Sequence, residues 1–236
     1  VPALVLAFTL QGIDPAVVFY MAVATSLANI VFTSLSAIRT HQSKGAIRWP
    51  LVRPIALGML VGAMLGVNTA LSIPAVYLQV SFGAFAIFLA VRMLLPNTGA
   101  GNKKLPNNKG LAIAGALIGW ISAIFGIGGG NLLVAWLVNR QLVMQQAVAT
   151  ASACGFAIAL SGAVSNVVLG LGNDVLPAYS LGYIYLPALV GIISTSFFAA
   201  SYGAKLAHRL SASLLKRLFA WMLLLVGIRM LLSIWF

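Results

Sequence analysis

The chain has 236 residues, of which 61% are hydrophobic and 7% charged, and its mean hydropathy is +1.05. This composition excludes a soluble domain, because a chain of this length has too little interior to bury so much apolar surface. The formal net charge of +12 does not indicate nucleic-acid binding, since the basic residues lie mostly in short connectors. The single cysteine, Cys154, excludes an internal disulfide.

Apolar runs long enough to cross a hydrocarbon layer of ~30 Å recur along the chain. The clear candidates are Pro15–Ile38, Leu51–Leu71, Ala75–Leu95, Met144–Leu169, Leu181–Ala204 and Leu214–Phe236. These runs are continuous rather than alternating, which excludes a transmembrane β-barrel. The pattern predicts an all-α polytopic membrane protein.

The distribution of basic residues predicts the orientation, because short basic loops mark the cytoplasmic side. Such loops hold Arg39, Lys44 and Arg48; Lys103, Lys104 and Lys109; and Lys205, Arg209, Lys216 and Arg217. The connectors Gln11–Pro15, Leu71–Pro74 and Gly170–Ser180 carry no basic residue and are predicted to lie outside.

The stretch "SAIFGIGGGNLLVAW", Ser122–Trp136, interrupts an apolar region with four glycines. The linker before it and the loop containing Arg140 both carry basic residues, so the chain is expected to enter and leave on the cytoplasmic side. Its two limbs, Leu111–Phe125 and Asn131–Val138, are shorter than the roughly twenty residues that a spanning helix needs. We therefore predict a re-entrant hairpin of two half-helices that the glycines turn inside the membrane.

The chain also repeats itself. "AVATS" at Ala22–Ser26 returns as "AVATA" at Ala147–Ala151, and "FLAVRMLLP" at Phe88–Pro96 returns as "LLVGIRMLLS" at Leu224–Ser233. The second offset also pairs Pro50 with Pro187, Gly66 with Gly203 and Phe82 with Phe219.

The loop charges give the two copies opposite orientations, which predicts inverted-topology repeats of the kind found in secondary transporters. We divide the chain into a first repeat (1–100), a cytoplasmic linker (101–109) and a second repeat (110–236). Val1–Phe8 corresponds to Val134–Val138, the limb after the glycine turn, so we expect the first repeat's own glycine hairpin to be missing upstream.

These motifs carry a resemblance. "GWISAIFGIGGGNLLVAWLV" with "QQAVATAS", the first-half "MAVATSLANIVFTSLSAI" and the twin "RMLL" ends resemble the TauE/SafE family over essentially the whole chain. The family consists of bacterial membrane proteins proposed to move sulfite and small organosulfonates. The resemblance implies an exporter of small sulfur-containing anions, such as sulfite or sulfoacetate, that works by alternating access in the bacterial cytoplasmic membrane. Ala135 stands where the family often has proline, and Ala151 where it usually has serine.

The residues themselves favour an anionic substrate. The only two acidic residues, Asp14 and Asp174, fall in predicted external loops, so no carboxylate is available inside the membrane for a cation site. The N-terminus of a half-helix offers free N–H groups and a positive dipole end to an oxyanion. We therefore predict a substrate site at Gly126, Gly128, Gly129, Gly130 and Asn131. The alternative is a glycine turn that serves helix packing only.

A polar stripe on each repeat could complete such a site. Its members are Thr25, Ser26 and Asn29 in the first repeat and Thr150 and Ser152 in the second. Helix–helix hydrogen bonding or back-bonding to the preceding turn is an equally good interpretation. Arg92 and Arg229 either extend to the membrane interface or attract anions at the pathway mouths. Gly129→Ala is expected to abolish transport, and Gly115→Ala to be much milder.

Other function classes find less support. The sequence contains no nucleophile, base or metal constellation, so we expect neither an enzyme nor a metal or cofactor, and the expected partners are a small anion and the lipid bilayer. An anion channel, an uptake system for another oxyanion such as thiosulfate, and a non-transporting membrane subunit remain alternatives. The oligomeric state, including a homo-oligomer, stays open.

Overall fold

The computed structural model describes residues 1–94, 104–207 and 210–232. Within these ranges the chain forms α1 (Pro2–Leu10), α2 (Pro15–Gln42), α3 (Trp49–Leu71), α4 (Ala75–Leu94), α5 (Asn108–Phe125), α6 (Gly130–Val138), α7 (Met144–Gly170), α8 (Leu186–Ala207) and α9 (Ala212–Leu232). The strands β1 (Ser180–Leu181) and β2 (Ile184–Tyr185) pair antiparallel before α8. The predicted all-α fold class is confirmed.

Five of the helices, α2, α3, α4, α5 and α7, are long and apolar enough to cross a membrane. The helices α8 and α9 contain shorter apolar segments, Leu186–Ser196 and Ala220–Leu232. These spans make the chain a multi-pass membrane protein, as the sequence predicts.

Two predicted boundaries need correction. The run predicted from Leu181 begins its helix at Leu186, because Gly182 has a φ of 54° and turns the preceding residues into the β1–β2 hairpin. The limb predicted as a half-helix, Leu111–Phe125, belongs to α5, which has 18 residues because Asn107 caps it upstream through a bond to the Gly110 N–H. By length and composition α5 is itself a candidate span.

The helices α3 and α5 pack closely and in parallel. Gly58 faces the backbone of Ala112, and eight residues later Gly66 faces the backbone of Trp120. Gly115 of α5 in turn faces the Ile55 carbonyl, so a Cβ there would collide with backbone. The expectation that Gly115→Ala is mild is therefore wrong, because the position is a helix–helix contact that only glycine fits.

The segments α5 and α6 form the hairpin that the glycines predict. The start of α7 lies beside the start of α3, where the Thr150 hydroxyl accepts a 3.2 Å bond from the Arg48 N–H. The start of α5 lies on the same side, since α5 is parallel to α3. The helix α6 ends at Val138, and five residues separate it from the start of α7. The chain thus enters the bundle along α5 and returns along α6 to the side it came from.

Equivalent helices of the two predicted repeats pack against each other in opposite directions. Leu27 of α2 contacts Gly162 of α7. Three residues further along α2, Ile30 lies beside Gly128, and Gly128 in turn contacts Gly155, which is earlier in α7. Later positions of α2 therefore lie near earlier positions of α7. The pair α4 and α9 is antiparallel as well, because Gln79 bonds the Met230 carbonyl while Ile87, later in α4, lies beside Gly227, earlier in α9. In addition α3 packs on α7 just as α8 packs on α2, an arrangement typical of inverted copies. The division at residues 1–100, 101–109 and 110–236 stays a prediction, and residues 95–103 lie outside the described ranges.

Candidate functional site

The glycine turn between α5 and α6 has the backbone that only glycine adopts readily. Gly126, Gly128 and Gly129 have φ values of 63°, 63° and 69°, in the left-handed region where a Cβ costs about 1–2 kcal/mol per residue. Gly126 ends α5, and Gly129 is the residue immediately before α6. The requirement for positive φ explains why an apolar hairpin carries so many glycines here.

The turn is enclosed by the middle of two long helices. On the α2 side, the Ser26 hydroxyl donates a 3.2 Å bond to the Gly126 carbonyl, and Ile30 covers Gly128. On the α7 side, the Gly128 carbonyl oxygen lies 3.1 Å from where a Cβ on Gly155 would be. The last residue of α5, Phe125, stacks on Phe85 of α4 with ring centroids 5.1 Å apart. Packing on several sides therefore fixes the turn within the bundle.

No side chain in the described part of the chain caps the N-terminus of α6. The first N–H groups of a helix have no intrahelical partner, so those at the start of this nine-residue helix are free to bind an acceptor. A Cβ on Gly130 would meet no atom of the described residues outside its chain neighbours within 4 Å, so these residues leave space next to this helix end. Asn131 follows in the first turn, and its side chain lies outside the described part of the structure.

Gly129 is constrained by packing as well as by conformation. A Cβ on it would collide with the Ile158 side chain and would lie 3.1 Å from the Ser122 Oγ. The closest atom is the terminal Cδ1 of Ile158 in α7, which can shift, so the left-handed φ of 69° is the stricter constraint on a side chain at this position.

The motif threonines connect the two repeats. Thr150 accepts its hydrogen bond from the Arg48 N–H just before α3, and Thr25 accepts one of 3.1 Å from the Tyr185 N–H just before α8. Both side chains are fully buried. These are equivalent contacts made by the two copies of the same motif, and they favour the helix-packing interpretation of Thr25 and Thr150.

The other polar residues of the stripe have different surroundings. Asn29 accepts a 2.7 Å bond from the Ser196 hydroxyl of α8, and Ser152 donates to the Val148 carbonyl of its own helix. Ser26 is the member of the stripe whose hydroxyl bonds the glycine turn itself. The structure thus brings Ser26 to the predicted site and gives Asn29 and Ser152 structural partners.

Arg92 and Arg229 are exposed and lie in the last turns of α4 and α9. Because these two helices are antiparallel, the arginines lie at opposite ends of the pair. This placement suits either extension to the interface or one anion-attracting charge at each mouth, so their role stays a prediction.

Two buried polar residues near the turn were not singled out from the sequence. Ser122 is fully buried in α5 beside Gly129, and Asn166 of α7 lines a small cavity with Tyr20, Val23, Ala123 and Ile124. The cavity has room for about one water molecule. Neither residue has a sequence signature, because serine and asparagine at helical positions usually bond their own backbone. Among the described residues, no group of three or more His, Cys, Asp or Glu side chains is placed to hold a metal ion.

Comparison with known proteins gives a consistent result. The family model described as sulfite exporter TauE/SafE matches residues 1–230. A probable membrane transporter protein of Haemophilus influenzae is 35% identical over 241 residues, covering 99% of this chain and 89% of the relative. A probable membrane transporter protein of Methanocaldococcus jannaschii is 25% identical, covering 98% of this chain and 85% of the relative. The probable membrane transporter protein YunE of Bacillus subtilis is 24% identical, with 96% and 86% coverage. No solved structure matches the chain.

Proposed function

The chain belongs to the sulfite exporter TauE/SafE family of membrane transporters, and on this basis we propose that it exports small sulfur-containing anions, such as sulfite or sulfoacetate, by alternating access. The sulfur chemistry and the outward direction rest on the description of the family. The site is supported by a single observation, the uncapped N-terminus of α6 at a buried glycine turn with open space beside Gly130.

The chemistry of that helix end suits an oxyanion. Several N–H groups converge there, and the helix dipole adds the equivalent of about half a positive charge. Sulfite and sulfonates carry oxygen atoms that accept such bonds. These contacts involve no fixed cation, so the bound anion is not trapped by an ion pair and can leave on the other side.

The electrostatics of the whole chain point the same way. The net charge is +12, and the two acidic residues lie outside the spanning segments, with Asp14 capping α2 by accepting from the Ala16 N–H at 2.8 Å. The helices therefore present no carboxylate to repel an anion or to bind a coupling cation. The inverted packing of α2 against α7 supports alternating access, in which one half rocks against the other around a central site.

Transport by purified protein in proteoliposomes tests the proposal. We expect saturable uptake of labelled sulfite, competition by sulfoacetate, and acceleration by unlabelled substrate on the opposite side. Flux without such counterflow would indicate a channel, and a preference for thiosulfate would indicate a transporter of another oxyanion. The absence of any anion flux would favour a non-transporting membrane subunit.

Two neighbouring glycines locate the site in the same assay. Gly130→Ala adds a methyl group to open space, so we expect a folded protein. Because the Cα–Cβ bond tilts toward the helix N-terminus, that methyl group lies in front of the free N–H groups and should lower anion affinity. Gly129→Ala places a Cβ at a φ of 69° and has to move the terminal methyl group of Ile158, so it should instead reduce the yield of folded protein. Wild-type affinity and flux in Gly130→Ala would exclude a site at this helix end.

A further inference from the structure

Ser122 is exceptional among the helical hydroxyls of this chain. It is fully buried, and its Oγ has no hydrogen-bond partner in the described part of the protein. Many other serines and threonines on helices donate to a carbonyl three or four residues earlier, among them Thr9, Thr33, Ser34, Ser81, Ser152, Ser194 and Thr195. Ser122 forgoes this bond, which is available in any helix.

The hydroxyl faces the glycine turn instead. Its Oγ lies 3.1 Å from where a Cβ on Gly129 would stand, and Gly129 immediately precedes the uncapped α6. A serine in this place could cap α6 by accepting from its N–H groups, yet no side chain of the described residues makes a capping bond there. The unpartnered Ser122 hydroxyl therefore lies against the residue that precedes the first N–H groups of α6, which have no partner within the helix.

Buried polar groups without partners are rare, since each costs roughly 1–3 kcal/mol, and they call for an explanation. A single acceptor between Ser122 and the start of α6 would satisfy both groups at once. An oxyanion does this well, because one oxygen can accept from the hydroxyl while another accepts from the backbone.

We propose that Ser122 is a substrate-contacting residue whose hydroxyl donates a hydrogen bond to an oxygen of the anion held at the N-terminus of α6. This inference rests on the proposed function and adds a specificity element to it. A hydroxyl donor beside backbone donors selects anions with several acceptor oxygens, so sulfite and sulfonates are preferred to a halide ion. An ordered water molecule in the same place is the competing occupant.

Ser122→Ala distinguishes these cases, with Ser161→Ala as the matched control. Ser161 is also a largely buried helical serine, but its hydroxyl donates a 2.8 Å bond to the Leu60 carbonyl of α3. The experiment measures the thermal unfolding of the purified chain in detergent over a titration of sulfite, sulfoacetate or chloride.

In the wild type we expect sulfite and sulfoacetate to raise the unfolding temperature and chloride not to. Ser122→Ala should retain or exceed the wild-type unfolding temperature without anion, because it removes an unsatisfied hydroxyl, and should bind the oxyanions about tenfold or more weakly. Ser161→Ala should show the reverse, a lower unfolding temperature with unchanged affinity.

Each other result overturns the inference in a recognisable way. Unchanged oxyanion affinity in Ser122→Ala would show that the hydroxyl does not touch the anion. A loss of stability without anion, as large as in Ser161→Ala, would indicate a structural hydroxyl or one bonded to water. If the wild type itself responds to no oxyanion, the proposed function fails, and the inference fails with it.

A cysteine variant provides a second readout should Ser122→Ala fold poorly. In a Cys154→Ala background, Ser122→Cys places a thiol beside the turn, and a small methanethiosulfonate reagent probes it during turnover. Sulfoacetate should slow the labelling in a concentration-dependent way. Labelling that is indifferent to sulfoacetate contradicts contact between residue 122 and the anion.

Discussion

At the scale of single residues, the two motif threonines have the clearest structural role. Each holds the chain just before a helix of the other repeat, Thr150 at the N–H of Arg48 and Thr25 at the N–H of Tyr185. These backbone groups lie at helix starts, where no intrahelical acceptor is available. The threonine oxygens therefore stabilise the contact between repeats.

Thr25→Val and Thr150→Val should each lower the free energy of unfolding by about 1–3 kcal/mol, because each leaves a buried N–H without its acceptor while nearly preserving side-chain shape. Denaturation in a graded detergent mixture measures the change. Thr33→Val in the same α2 is the control, since that hydroxyl bonds only carbonyls of its own helix. Wild-type stability combined with lost transport would instead assign these hydroxyls to the substrate.

The sequence permits some predictions at this scale and not others. The positive φ of Gly129 follows from the residue type, since a cluster of glycines in an apolar segment is the signature of a turn that a side chain would hinder. The partners of Thr25 and Thr150 are 160 and 102 residues distant, and no local pattern identifies them. The same holds for Ser122, whose unusual environment depends on how α6 returns beside α5.

At the scale of elements, the hairpin of α5 and α6 determines the arrangement of the second half. The sequence predicts this hairpin because the connectors before and after it both carry basic residues, which places both on the cytoplasmic side of the membrane. The predicted limb is shorter than α5, which has 18 residues. The close contact of α5 with α3 through Gly58, Gly62 and Gly115 extends along the helix. Small residues at such contacts let backbones approach, which is how helices associate in lipid. A length criterion alone does not distinguish this limb from a full span.

The hairpin also fixes the sides on which two exposed residues lie. Lys104 precedes α5, and Asp174 follows α7, which runs from the end where α6 finishes to the opposite end. In a Cys154→Ala background, an impermeant maleimide should label Asp174→Cys in intact cells and Lys104→Cys only after permeabilisation. Equal labelling of both would contradict the inverted arrangement. Arg209, whose loop is also predicted to be cytoplasmic, lies outside the described residues.

At the scale of the whole molecule, the helices that both repeats share within the described residues pack in matching pairs. The pairs α2 with α7 and α4 with α9 match, and α3 on α7 corresponds to α8 on α2. The glycine face of α3 is covered by α5, and among the described residues a Cβ at Gly191 or Gly203 of α8 would meet nothing within 4 Å. The sequence register predicts the equivalence of α3 and α8, but it does not identify which helix packs on each glycine face, because that contact is made by a third, distant helix.

Alanine substitutions at the equivalent glycines Gly66 and Gly203 compare the packing on the two helix faces. A Cβ at Gly66 would press on the Trp120 carbonyl and lie 3.0 Å from the Ala123 Cβ, so Gly66→Ala must push α3 from α5 and should cost about 1–3 kcal/mol of stability. Gly203→Ala meets no neighbour among the described residues and replaces glycine by a better helix former, so stability should stay unchanged or rise slightly. The unfolding temperatures of the two purified variants, compared with that of the wild type, measure these changes in stability. An equal loss in both would show that the α8 face is also covered in the folded protein, since a methyl group destabilises a helix face only where something packs against it.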